Sequence, residues 1–159
     1  MAPLALNALH LAADFVGIVR GVQAEVAATG LRDGDYDVPY STLHVGKMWG
    51  GVQVNIVPNH AVADFEIRSL AGEDTDALIA RIKAQAEALV APLRAEFPEA
   101  AIKVERQWDY PGLGTPSYAC IDIAGAAVTR ACNGGNWLRV TSSRSFHPGP
   151  PLAGLLGAV

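Results

Sequence analysis

Two side chains in the first half of the chain have the chemistry to hold a small polar ligand: the Asn55 amide and the Arg68 guanidinium. Asn55 is the lone amide in the apolar run Val54-Asn55-Ile56-Val57, which Pro58 ends. Arg68 closes an alternating run, and its planar fork suits bidentate capture of a carboxylate. Both have plain structural explanations too. The amide could be satisfied by a neighbouring turn or by backbone. The arginine could pair at the surface with Glu66 or Asp64, a contact worth little. The four histidines, His10, His44, His60 and His147, form no HxH, HxxxH or HExxH pattern, so no metal site is expected from this chain alone. His44 and His60 could be neighbours across a sheet or ordinary surface histidines. Gly50-Gly51 lacks the pattern of a phosphate loop, and neither GxSxG nor a nucleophile context for a cysteine is present.

The stretch from Tyr40 to Arg68 must position these groups. In its last run Ala61, Ala63, Phe65 and Ile67 alternate with Val62, Asp64, Glu66 and Arg68, the period of a strand with one buried face. Strands are expected at about 42–48, 52–57 and 61–69, the first two joined through Gly50-Gly51 as a hairpin or a bulged ribbon. Before them, Leu4, Ala8, Leu11, Phe15, Ile18, Val22 and Val26 recur at helical spacing, with Gly30 in a left-handed position after the last turn. Residues 31–41 read as a loop. Glu73-Asp74-Thr75-Asp76 starts a second helix that buries Leu78, Ile82, Leu89 and Leu93, and Pro92 kinks it or opens a separate last turn. A short strand over 101–106 follows, then a Pro- and Gly-rich linker from Tyr110 to Pro116 and a helical segment from Tyr118 to Cys132. The order implies an α+β fold, an antiparallel sheet with two helices on one face. It is the ferredoxin-like order with the first strand missing, followed by a C-terminal helix and an irregular tail. A sheet lacking that strand leaves unpaired backbone that something must cover.

At 159 residues, half of them hydrophobic and 18% charged, the chain can bury one ordinary core. A net charge of −4 without a basic run argues against nucleic acid as a partner. The apolar N-terminus lacks a basic leader and is interrupted by Asn7, His10 and Asp14, so neither a signal peptide nor a membrane span is expected. Cys120 and Cys132, roughly 18 Å apart on one predicted helix, cannot bridge. Reduced cysteines suit a cytoplasmic protein.

The run STLHVGKMWGGVQVNIVPNHAVADFEIR resembles the lid, or dimerisation, domain of zinc-dependent acylamino-acid deacetylases, closest to the acetylornithine deacetylases. The likeness extends from Met1 to about Asn136 and includes Asn7-Ala8 and Tyr110-Pro111-Gly112-Leu113. It implies a homodimer and an N-acyl amino acid as the small-molecule partner of the intact enzyme. It also implies that Asn55 reaches towards the active site and that Arg68 grips the substrate's carboxylate. The parent enzymes hold zinc (or cobalt) in a separate catalytic domain, where the metal activates water for amide hydrolysis. The lid of such enzymes also presents a histidine that stabilises the oxyanion. That histidine and the metal-ligand motifs belong upstream of Met1, and the last ligand belongs beyond Val159.

On this reading residues 1–109 are the lid domain and 110–136 a linker and helix returning to a catalytic domain. Residues 137–159 are an atypical tail, read out of frame or following a truncation. The chain is then a fragment that binds no zinc and is inactive alone. Two alternatives stand beside it: a stand-alone dimerising module that binds an amino acid without catalysis, and the lid of a sister enzyme such as succinyl-diaminopimelate desuccinylase or aminoacylase.

Overall fold

The computed structural model describes residues 5–110 and 134–144. Helix α1 (Ala8–Thr29) begins where the Asn7 side chain accepts hydrogen bonds from the Leu9 and His10 amides, later than the apolar spacing from Leu4 implies. That side chain satisfies two of the amides that a helix start leaves without partners. The buried stripe is Ala8, Leu11, Ala12, Phe15, Val19, Val22 and Val26, one face at helical spacing. Gly30 follows the helix with φ −72°, not the left-handed conformation expected of it. Its lack of a side chain serves close approach instead, because a Cβ there would lie 2.6 Å from the Val26 carbonyl oxygen.

After the loop over 31–41, strand β1 (Thr42–Gly50) pairs antiparallel with β2 (His60–Ser69), with a bulge between Val45 and Lys47. No strand forms over 52–57. Residues 51–59 are a connecting loop, with Val52, Val54 and Ile56 exposed. The alternation there is that of a strand, but the loop packs on the start of α1, where Pro58 accepts the Ala8 amide at 2.9 Å, and it finds no strand neighbour. Both glycines are needed at this corner. Gly51 has φ +75°, and a Cβ on Gly50 would sit 2.8 Å from the His60 carbonyl oxygen.

Helix α2 (Thr75–Val90) starts at Asp74, whose carboxylate accepts the Ala77 amide. Pro92 falls in a separate 3₁₀ turn, Ala91–Ala95, as its missing N–H allows. The helix buries Leu78, Ile79, Ile82, Ala86 and Val90, whereas Leu89 and Leu93, expected in the core, are only half-buried. Strand β3 (Ala100–Tyr110) runs longer than the expected 101–106.

The α+β class, with an antiparallel sheet and two helices, is what the structure shows. Within it, the tail departs from expectation. Gly134–Arg144 form strand β4, which lies between β2 and β3 and is antiparallel to both, giving the order β1-β2-β4-β3. Residues 137–144 are therefore not irregular, and they take the interior position that the ferredoxin-like order assigns to its first strand. Leu138 and Val140 are each 1% exposed and join the core. The expected helix over Tyr118–Cys132, both cysteines and residues 145–159 lie outside the described residues.

One face of the sheet carries the core. Ala63, Phe65 and Ile67 of β2 meet Phe15, Val19 and Val22 of α1 and Ile79 and Ile82 of α2, with Phe15 and Phe65 edge to face at 5.6 Å. Ser41 is fully buried and fixes the entry to β1: its hydroxyl accepts the Leu70 amide at 3.0 Å and donates to Glu73 at 2.7 Å.

Candidate functional site

Among the described residues no helix lies on the sheet's other face, and the charged side chains of β2 stand there. Glu66, with a side chain only 16% exposed, is the acceptor at one end. Arg68 donates from Nε at 3.0 Å, and His44 Nδ1 lies 3.3 Å from the same carboxylate oxygen. The Arg68 side chain remains 64% exposed, so the surface pairing with Glu66 leaves much of the guanidinium open to a ligand.

Asn55 sits in the 51–59 loop rather than in a strand, and it is exposed. It lines an open groove of about 740 Å³ with Asn7, Leu9, Gly51 and Pro58. The two candidate ligand residues are not brought together within one copy. Asn55 precedes the start of β2 and Arg68 stands near its end, roughly 26 Å further along at strand rise. His44 and His60 are also separated: His44 pairs with Glu66, while His60 begins β2 beside the Gly50 end of β1. Among the described residues no group of three or more His, Cys, Asp or Glu is placed to hold a metal ion.

The best-formed polar contact on this face is one that the sequence does not single out. Asp64 receives two hydrogen bonds from Arg139 of β4, from Nε at 2.7 Å and from Nη2 at 3.0 Å. The Arg139 guanidinium also lies 5.5 Å from the centre of the Trp49 ring. Those bonds hold the Asp64 carboxyl below its ordinary range, against an opposing desolvation, and they raise Arg139 in turn. Beside the pair is a shallow cavity of about 380 Å³ lined by His44, Lys47, Glu66 and Trp108. The alternation of β2 places Asp64 on this face, but nothing local in the sequence marks Arg139 as its partner, because they are 75 positions apart.

Among the described residues the molecule is a two-layer α+β unit, with α1 and α2 on one face of a four-stranded sheet whose outer strands are β1 and β3. The comparisons agree: the family of peptidase dimerisation domains of the M20 group matches residues 1–93. The chain belongs to that family. No curated protein and no solved structure matches it. The family match covers α1, β1, β2, α2 and the start of the 3₁₀ turn, and stops short of β3 and β4.

Proposed function

We propose that this chain is the lid and dimerisation part of a metal-dependent amidohydrolase resembling acetylornithine deacetylase, and that it turns over nothing alone. The observation that carries the reading is the family match over 1–93, which spans the Asn55 loop and Arg68. The parent reaction is hydrolysis of N-acetylornithine to ornithine and acetate. A metal held elsewhere would polarise the amide and activate water. Among the described residues no group of three or more His, Cys, Asp or Glu stands together, and the part proposed for Asn55 and Arg68 is to bind and orient substrate.

Dimerisation gives Asn55 and Arg68 a way to act together. Gln23 Oε1 accepts the Leu43 amide, which occupies the first part of the β1 edge. The stretch beyond the bulge, 47–50, is left as the edge to pair, and it carries Met48 and Trp49, both nearly half exposed. In an antiparallel two-fold pairing through that stretch, the two β2 strands run in opposite directions. The Asn55 loop of one copy then lies level with the Thr42 end of the other, and Thr42 pairs with Arg68. Each composite site takes its amide from one copy and its guanidinium from the other.

The test supplies a zinc-loaded deacetylase catalytic domain, stripped of its own lid, and follows ornithine release. The expected result is turnover only in the mixture, reduced by roughly 10- to 100-fold with Arg68→Ala, the loss of a charge-assisted contact. No turnover in the mixture, or an Arg68→Ala variant equal to the parent, overturns the reading. Preference for a succinylated substrate in the same assay points to the sister desuccinylase. Ornithine binding without any metal-dependent turnover points to a non-catalytic module.

A further inference from the structure

Among the described residues, Arg94, Arg106 and Arg139 each give two guanidinium nitrogens to carboxylates. Arg94 gives Nη1 and Nη2 to Glu87. Arg106 gives Nη1 to Asp109 and Nη2 to Asp76, and Arg139 gives Nε and Nη2 to Asp64. Arg68 gives only Nε, at 3.0 Å to Glu66 Oε1, and neither of its terminal nitrogens has a partner among the described residues. A guanidinium has two kinds of edge that can fork a carboxylate: the two terminal nitrogens together, or Nε with one of them. Glu66 takes a nitrogen of the second kind of edge and leaves the first whole.

The acceptor is itself held in place. Glu66 sits between Phe65 and Ile67, which are 2% and 0% exposed and lie in the core, so strand alternation puts its side chain on the opposite face. It stands directly across from His44 in register, and His44 Nδ1 lies 3.3 Å from the same Oε1. The Glu66 side chain is 16% exposed, against 61% for His44 and 64% for Arg68. The Arg68 backbone is fixed too, with Thr42 of β1 and Gly135 of β4 as its register partners. An exposed arginine otherwise spreads over many rotamers, and a ligand that stills it loses affinity to that entropy. A bond to Nε removes much of this freedom beforehand, without using the end that a ligand needs.

We propose that Glu66 is the positioning residue of Arg68. It holds Nε so that the edge formed by Nη1 and Nη2 stands ready to fork the free carboxylate of an N-acyl amino acid, and His44 braces it from the neighbouring strand. This rests on Arg68 as a carboxylate ligand, as proposed above, and adds which edge does the gripping and what aims it. Glu66 acts through Arg68 and does not itself meet the ligand. A ligand whose carboxylate is blocked as the amide offers one acceptor oxygen and an NH₂ donor in place of two acceptors, so the edge refuses it.

The full chain by itself suffices for the test. In its proton–nitrogen NMR spectrum the Arg68 Nε–H signal is the one that Arg68→Lys removes. In the parent this Nε–H should exchange with water about tenfold more slowly than that of exposed Arg20, a comparison that needs no variant to fold. In Glu66→Ala the Arg68 exchange quickens about tenfold, as loss of one charge-assisted hydrogen bond implies, while Glu66→Gln, which keeps an acceptor oxygen, stays within about threefold of the parent. N-acetyl-L-ornithine is then titrated and followed at the Arg68 backbone amide. The parent should saturate, Glu66→Ala should need about tenfold more ligand, and the carboxamide of the same compound should leave the signal unmoved. Exchange as fast at Arg68 as at Arg20, or equal affinity in the parent and Glu66→Ala, overturns the positioning role. Tighter binding by Glu66→Ala overturns it as well, since Glu66 would then be competing for the guanidinium. A parent that does not bind N-acetyl-L-ornithine, or binds the carboxamide equally, removes Arg68 as a carboxylate ligand and takes the proposed function with it. A parent that binds while Glu66→Ala binds just as well removes only the role of Glu66.

Discussion

Among single residues, the contact with the most specific chemistry is the fork of Arg139 on Asp64. The hydrogen bonds from Arg139 lower the Asp64 pKa from its ordinary value of 3.8, with burial acting in the opposite direction. A carboxylate whose folded pKa is depressed contributes stability above its unfolded value and loses it as pH falls through the folded one. Stability should therefore decline with acidification below pH 3.8 in part through this group. An Asp64→Asn variant should lose that part of the decline, which urea midpoints measured at stepwise lower pH would detect; an unchanged acid limb would contradict it. Asn55 and Arg68 are both legible as ligand-type side chains, from an amide in an apolar run and a guanidinium closing an alternating one. Their separation along β2 is not, because spacing in sequence says nothing about which end of a strand a loop occupies.

Among the elements, α1, β2 and α2 can be read from period and caps because their signals are local. The apolar stripe of α1, the alternation of β2 and the Asp74 cap each fix one element without reference to the rest. Two segments defeat a local reading for the opposite reason. Residues 52–57 alternate like a strand but lie where no neighbour pairs with them. Residues 134–144, with two glycines and two serines, have weak strand preference, yet they pair on both sides along β2 and β3. An interior strand is stabilised by its neighbours rather than by its own propensity. Leu138→Ala should accordingly cost about 2–5 kcal/mol, the range for a fully buried leucine, in chemical denaturation. A surface-like loss of a few tenths would show that β4 does not close the core.

At the scale of the whole chain, the match to a peptidase dimerisation domain points to association. Among the described residues, helices cover one face of the sheet, β4 fills the interior position, and the outer strand β1 carries exposed Met48 and Trp49 beyond its bulge. The family match over 1–93 supports formation of a homodimer, and among the described residues no helix is long and apolar enough to cross a membrane. Joining Asn55 of one copy to Arg68 of the other depends on that dimer. Its most direct test is the mass of the purified chain in solution by sedimentation equilibrium across a range of concentrations. Edge pairing predicts a species of twice the 16.7 kDa chain mass that persists on dilution and shifts towards monomer when Trp49→Lys is introduced at the edge. A single 16.7 kDa species at every concentration would contradict it.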